Sequence, residues 1–162
     1  MKLYRESYNL NLNNMTERQD SPIKDILSSK QLYIYTDGAS RGNPGEAGAG
    51  IVIYNEDGKI IKKTKKYLGN TTNNVAEYLA LIIALKEAIK LKADIVHLFS
   101  DSELVVRQIK GIYKVRDKKM RVLSSEVKKL LSNFIQYNIT CIDRRKNKEA
   151  DKLANLAIDE KN

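Results

Sequence analysis

Four acidic residues stand far apart in the chain, each where one element of structure should give way to another. Asp37 follows "LYIYT", Glu77 lies within "TTNNVAEYLAL", Asp101 follows "IVHLFS" and Asp151 lies within "NKEADKLANLA". Taken singly, each has an ordinary explanation. An acid near a helix start favours the macrodipole by about 0.3–1 kcal/mol, which covers Glu77 and Asp151. Asp101 with Ser102 could cap a helix. As a set they point further. Open α/β sheets bind ligands beyond the carboxyl ends of their strands. Asp37 and Asp101 would both point there from parallel neighbouring strands, and helices starting over the same edge would add Glu77 and Asp151. Gathered carboxylates repel, so some must stay protonated unless a cation joins them. Mg²⁺ takes hard oxygen ligands and shares its coordination with substrate phosphates. Two such ions about 3.5–4 Å apart can activate a water and stabilise the leaving oxygen of a phosphodiester.

The Asp37-Gly38 pair also raises a question of geometry. Asp-Gly between apolar runs is a strong hairpin signal, and Asp57-Gly58 in "IVIYNEDGKIIKK" fits it. Asp37-Gly38 reads differently: it closes a strand, and "ASRGNPG" after it reads as a glycine-rich loop. Gly42 and Gly45 would let a nucleic-acid backbone come close, and Ser40 and Asn43 would offer hydrogen bonds nearby. Neither G-x-x-x-x-G-K-[ST] nor G-x-G-x-x-G is present, so a generic phosphate loop is not indicated.

The elements that must position these groups follow from periodicity. Strands are expected at 32–37, 48–55 and 59–68, then a long, well-buried helix at 73–91 with Thr71, Thr72 and Asn73 as candidate caps. The run "ADIVHLFS" at 93–100 is continuously apolar, as in a strand covered on both faces. A short helix after Asp101, a helix at 119–134, a strand at 137–142 and a helix at about 147–160 complete the order. A hairpin meander feeding α/β crossovers predicts an α/β fold with a mixed sheet, antiparallel on one side. Residues 1–30 read as an N-terminal extension, with a polar, loose tail over 1–20 and a short helix at 21–30 begun by Ser21 and Pro22; residues 31–162 form the domain.

The 162 residues carry a net charge of +9, which favours polyanionic partners. Nucleic acid leads; a membrane surface is disfavoured because no separate basic amphipathic helix stands out, and merely solubilising charge is the plain alternative. No apolar run approaches the ~20 residues needed to cross a bilayer, and no secretory signal is evident. The lone Cys141 in "YNITCID" reads as a buried structural residue. No Cys/His spacing suggests zinc. A cytoplasmic, monomeric protein is expected.

In order and spacing, "TDGASRGNPG", "TTNNVAEYLAL", "SDSELVV" and "NKEADKLANLA" resemble the motifs of type 1 ribonuclease H domains, over about residues 32–160. The resemblance implies a five-stranded mixed sheet flanked by helices. It implies hydrolysis of the RNA strand of an RNA–DNA hybrid, leaving 3′-hydroxyl and 5′-phosphate ends. Asp37 would bridge two Mg²⁺ or Mn²⁺ ions, with Glu77, Asp101 and Asp151 completing the ligands and Glu77 reading a ribose 2′-OH. Ser40, Gly42 and Asn73 match positions that touch the RNA strand; Thr72 and Asn74 match positions on the DNA strand. Asn147 keeps the family spacing to Asp151 and is a further candidate for substrate binding.

Two departures stand out. "QIKGIYKVRDKKMRV" is shorter than the basic handle of many relatives and the chain has no Trp, leaving Lys110, Lys114, Arg116, Lys118, Lys119 and Arg121 as a reduced substrate-binding patch or a solvated face. The only His, His97, lies within an apolar strand and reads as a satisfied core residue. Arg144, Arg145 and Lys146 stand where relatives place a mobile His. An arginine cannot serve as a base at neutral pH, so Arg144 and Arg145 are expected to bind phosphate.

Overall fold

The computed structural model describes residues 28–161. The expected loose tail and residues 21–27 of the expected short helix lie outside the described residues. Five strands form one sheet: β1 (Gln31–Gly42), β2 (Gly45–Tyr54), β3 (Ile60–Thr71), β4 (Ile95–Ser100) and β5 (Gln136–Cys141). Their spatial order is β3-β2-β1-β4-β5. β1, β2 and β3 pair antiparallel, whereas β4 runs parallel to both β1 and β5. The mixed sheet expected from the hairpin and crossover pattern is therefore present.

The helices are α1 (Asn73–Lys90), α2 (Glu103–Ile109), α3 (Lys118–Leu131) and α4 (Lys148–Glu160), with a 3₁₀ turn at Arg144–Lys146. α1 starts where Thr72 accepts a hydrogen bond from the Val75 amide at 3.3 Å. The cap satisfies one of the donors that a helix start leaves free. Its small and aliphatic residues Ala80, Leu81, Ala84, Leu85 and Ala88 are fully buried, in one core with Leu32, Ile34, Val96 and Leu98 of the central strands. No helix among the described residues is long and apolar enough to cross a membrane.

The largest departure from expectation concerns β1. The strand does not stop at Asp37. It runs on through Gly38, Ala39, Ser40 and Arg41, and pairs with β2 down to Gly42 against Gly45. The "glycine-rich loop" is a hairpin whose tip needs a positive φ, 109° at Gly42. The glycines and small residues deceive because they serve helices that come very close. A Cβ on Gly38 would lie 2.2 Å from the Ala76 carbonyl carbon and the Glu77 nitrogen of α1. On the other face, a Cβ on Gly50, the partner of Asp37 across the ladder, would lie 2.0 Å from the Ala150 oxygen of α4. The sheet is clamped by a helix on each side at the level of Asp37.

A second correction concerns Cys141. β5 is an edge strand, mostly exposed, and Cys141 is exposed at its end. An apolar-looking run here reflects β propensity rather than burial. His97 is half-buried: its ring stacks on Tyr33 at 4.5 Å, and its nitrogens meet Gln31 Oε1 and Asn138 Nδ2, each at 2.9 Å. Burial lowers its pKa, so it sits as a satisfied neutral residue.

Candidate active site

The parallel ladder between β1 and β4 ends at Thr36 opposite Ser100. The next residues in the chain are Asp37, still paired with β2, and Asp101, just past the end of β4, so the two acids stand side by side where the parallel pairing stops. α1 comes in over Gly38 and brings Glu77 to the same edge, where the Gly38 amide donates to Glu77 Oε2 at 3.2 Å. Asp37, Glu77 and Asp101 each offer an oxygen within 4.8 Å of the others. Three sequence-distant acids thus meet because a parallel strand pair and a close helix leave no other course.

Their electrostatics follow from that crowding. Asp37 and Glu77 are only 5% and 4% exposed. Burial, then the Asp101 and Asp151 charges, push the Asp37 carboxyl up to about 7. Burial first and the Asp37 and Asp101 charges next hold Glu77 well above its ordinary value, against the Gly38 hydrogen bond that opposes the rise. Two buried carboxyls raised by their acidic neighbours mark a site short of positive charge. Hard oxygen donors at this spacing suit Mg²⁺ or Mn²⁺. The donor set fits the divalent site that the motifs imply.

Asp151 lies in the first turn of α4. It is close enough to raise Asp37, yet it stands outside the three-acid cluster. Arg144 Nη2 donates to its Oδ1 at 3.0 Å. Arg144 also faces the pocket, a groove of about 400 Å³ lined by Asp37, Ser40, Asn73, Glu77, Asp101 and Asn155 among others. Arg145 turns away and forms a two-point pair with Asp143, at 3.0 and 3.1 Å.

The remaining candidates divide by what already occupies their side chains. Ser40 lines the groove, while its single hydroxyl proton is within reach of two acceptors, the Thr71 carbonyl at 2.8 Å and that of Gly42. Asn73 lines the groove from the start of α1, and its backbone N–H donates to Asn43 Oδ1 at 3.2 Å. Asn43 thus ties the hairpin tip to the helix. Thr72 is the helix cap, Asn74 is half-buried beside it, and Gly42 is the turn residue; none of the three lines the groove.

Asn147 departs furthest from its expected role. It is 1% exposed and donates from Nδ2 to the Thr36 carbonyl at 2.8 Å. It fastens the start of α4 to β1 one residue before Asp37 and does not line the groove. Asn155 was not singled out in the sequence, although it lies four residues after Asp151 and so shares its helix face. Its Nδ2 donates to the Asp151 carbonyl at 3.0 Å.

A 3-2-1-4-5 mixed sheet, clamped between helices and bearing acids at the end of its central parallel pair, is the ribonuclease H fold. Known proteins agree. A family described as reverse transcriptase-like matches residues 35–157. Ribonuclease HI of Halobacterium salinarum is 41% identical over 130 residues, 80% of this chain and 65% of that protein. The crystal structure of that organism's RNase H1 superposes with a TM-score of 0.79, covering 80% of this chain and 98% of that one. LC11-RNase H1, solved in complex with an RNA/DNA hybrid, is 41% identical with a TM-score of 0.75, over 80% of this chain and 97% of that one. The bifunctional protein Rv2228c of Mycobacterium tuberculosis is 41% identical, and there this chain spans only 36% of the relative. The chain belongs to the type 1 ribonuclease H family.

Proposed function

We propose that the protein is a metal-dependent endoribonuclease that hydrolyses the RNA strand of RNA–DNA hybrids, giving 5′-phosphate and 3′-hydroxyl ends. The observation that carries this reading is the convergence of Asp37, Glu77 and Asp101 within 4.8 Å at the edge of the central strands. Relatives named as ribonuclease H, one of them solved with a hybrid, support the substrate class. Asp37, Glu77 and Asp101, with Asp151 beside them, would hold two Mg²⁺ or Mn²⁺ ions. When bound, such ions activate a water and stabilise the leaving oxygen of a phosphodiester.

The chain's own residues do the rest. Asp37 and Glu77 are fixed by strand pairing and by the Gly38 amide, so little reorganisation is needed as a substrate arrives. Ser40 and Asn73 flank the acids in the groove, where an RNA strand would run, and Glu77 would read a ribose 2′-OH, the group that separates RNA from DNA. Arg144 supplies a fixed positive charge for a phosphate oxygen. The test is cleavage of a labelled hybrid with Mg²⁺, with Mn²⁺ and with chelator, alongside duplex DNA and double-stranded RNA. Metal-dependent cutting confined to the RNA of the hybrid is expected. Equal cutting of duplex DNA, or cutting that survives chelation, would refute the assignment.

A further inference from the structure

Asp151 differs from the other three acids in what it already holds. Asp37, Glu77 and Asp101 turn oxygens toward one another, whereas one Asp151 oxygen is taken by the Arg144 guanidinium at 3.0 Å. The choice of arginine is specific. The adjacent Arg145 is engaged by Asp143 through two hydrogen bonds and does not line the pocket. The 3₁₀ turn at Arg144–Lys146 thus sends one guanidinium inward and the next outward. The inward charge reaches beyond its partner, since it acts to lower both Asp37 and Glu77.

We propose that Arg144 is an internal counter-cation that competes with a divalent ion for Asp151. This rests on reading the acids as a metal site. An ion held by Asp37, Glu77 and Asp101 displaces no basic side chain, whereas an ion that also needs Asp151 must first break the Arg144 pair. Loading is therefore ordered, with an easier and a harder step. Arginine stays charged at any working pH, so the harder step answers to ion concentration rather than to proton release from this group. Once displaced, the guanidinium still lies at the groove wall, where a phosphate can take its hydrogen bonds.

The partners are 78% and 31% exposed, so the competition is modest. Exposed pairs of this kind correspond to about a two- to fivefold change in affinity. Calorimetric titration of Mn²⁺ into the full chain, without nucleic acid, reads it directly. R144Q should tighten the weaker binding step about two- to fivefold, and R144K, which keeps the charge without the forked geometry, should fall between. R145Q changes net charge equally and should leave both steps as in wild type. An R144Q isotherm no tighter than wild type, or an equal tightening by R145Q, overturns the proposal. The two readings separate cleanly. Wild type that cleaves hybrid while R144Q binds Mn²⁺ unchanged removes the competition alone. Wild type that shows the competition but leaves hybrid intact removes the assigned activity alone.

Discussion

Asp37 carries the most chemistry per atom. It lies opposite Gly50 across the ladder, and burial first and its acidic neighbours next raise its carboxyl to about 7. Replacement by Asn removes one negative charge from the cluster while keeping the shape. Hybrid cleavage by Asp37→Asn should fall far beyond tenfold, the equivalent of ~1.4 kcal/mol of barrier, while hybrid binding persists; activity within tenfold of wild type would remove Asp37 from the mechanism. The same residue predicts a pH dependence of stability without metal. Its unfolded value is near 3.8 and its folded value about 7. Between those limits the folded state binds more protons, so stability falls as pH rises through that window, by a few kcal/mol. Glu77, also raised, adds to the slope. In chelator, Asp37→Asn should melt higher than wild type at pH 8 and show a flatter profile from pH 5 to 8. Melting scans that rise with pH for the wild type would contradict the crowding argument.

At the scale of elements, the site depends on how closely two helices approach β1. Gly38→Ala places a methyl 2.2 Å from the α1 backbone, so α1 must shift and carry Glu77 with it. A loss of about 1–3 kcal/mol is expected from chemical denaturation, with hybrid cleavage falling further than stability alone explains. Asn147→Ala leaves the Thr36 carbonyl without its donor, at a cost of about 1–3 kcal/mol. Because Asn147 is buried, hybrid affinity should change less than stability does; an affinity loss without a stability loss would mean that it does reach the substrate after all. These two residues also mark the limits of what the sequence revealed. The long helix was plain from its apolar face and the cap candidates Thr71, Thr72 and Asn73, and the buried strand β4 from its unbroken apolar run. The continuation of β1 through "GASRG" was hidden, because small residues chosen for a close helix look the same as small residues chosen for a loop. Burial of Asn147 and exposure of Cys141 were hidden for a related reason. A strand or helix start declares its type locally, but only the order of strands says which of them is an edge.

At the scale of the whole molecule, the question is which part of the +9 charge is available to a polyanion. Along β3 the lysines are largely spent. Lys62 pairs with Glu87, Lys63 with Glu149 and Lys65 with Glu160, and a row of charges on an edge strand also discourages unwanted strand pairing. The segment between α2 and α3 is different. There a groove of about 420 Å³ is lined by Lys114, Arg121 and Lys128 with Gln108, Ser124 and Ser125. Arg121 is steadied through Nε by the Val115 carbonyl at 2.9 Å. Among the described residues, Lys114 and Lys128 form no ion pair. Lys119, nearby on α3, reaches across to Thr71 Oγ1 at 3.5 Å, beside the start of α1. A shortened handle can therefore still present charge next to the acidic groove. Phosphate contacts release counterions, so the logarithm of hybrid affinity should fall linearly with the logarithm of salt, with a slope of ~0.7–0.9 for each contact. Lys114→Gln with Lys128→Gln should lower that slope by about one to two, and Lys63→Gln should leave it unchanged. If instead the β3 substitution alters the slope and the groove substitutions do not, the hybrid lies along the other edge of the sheet.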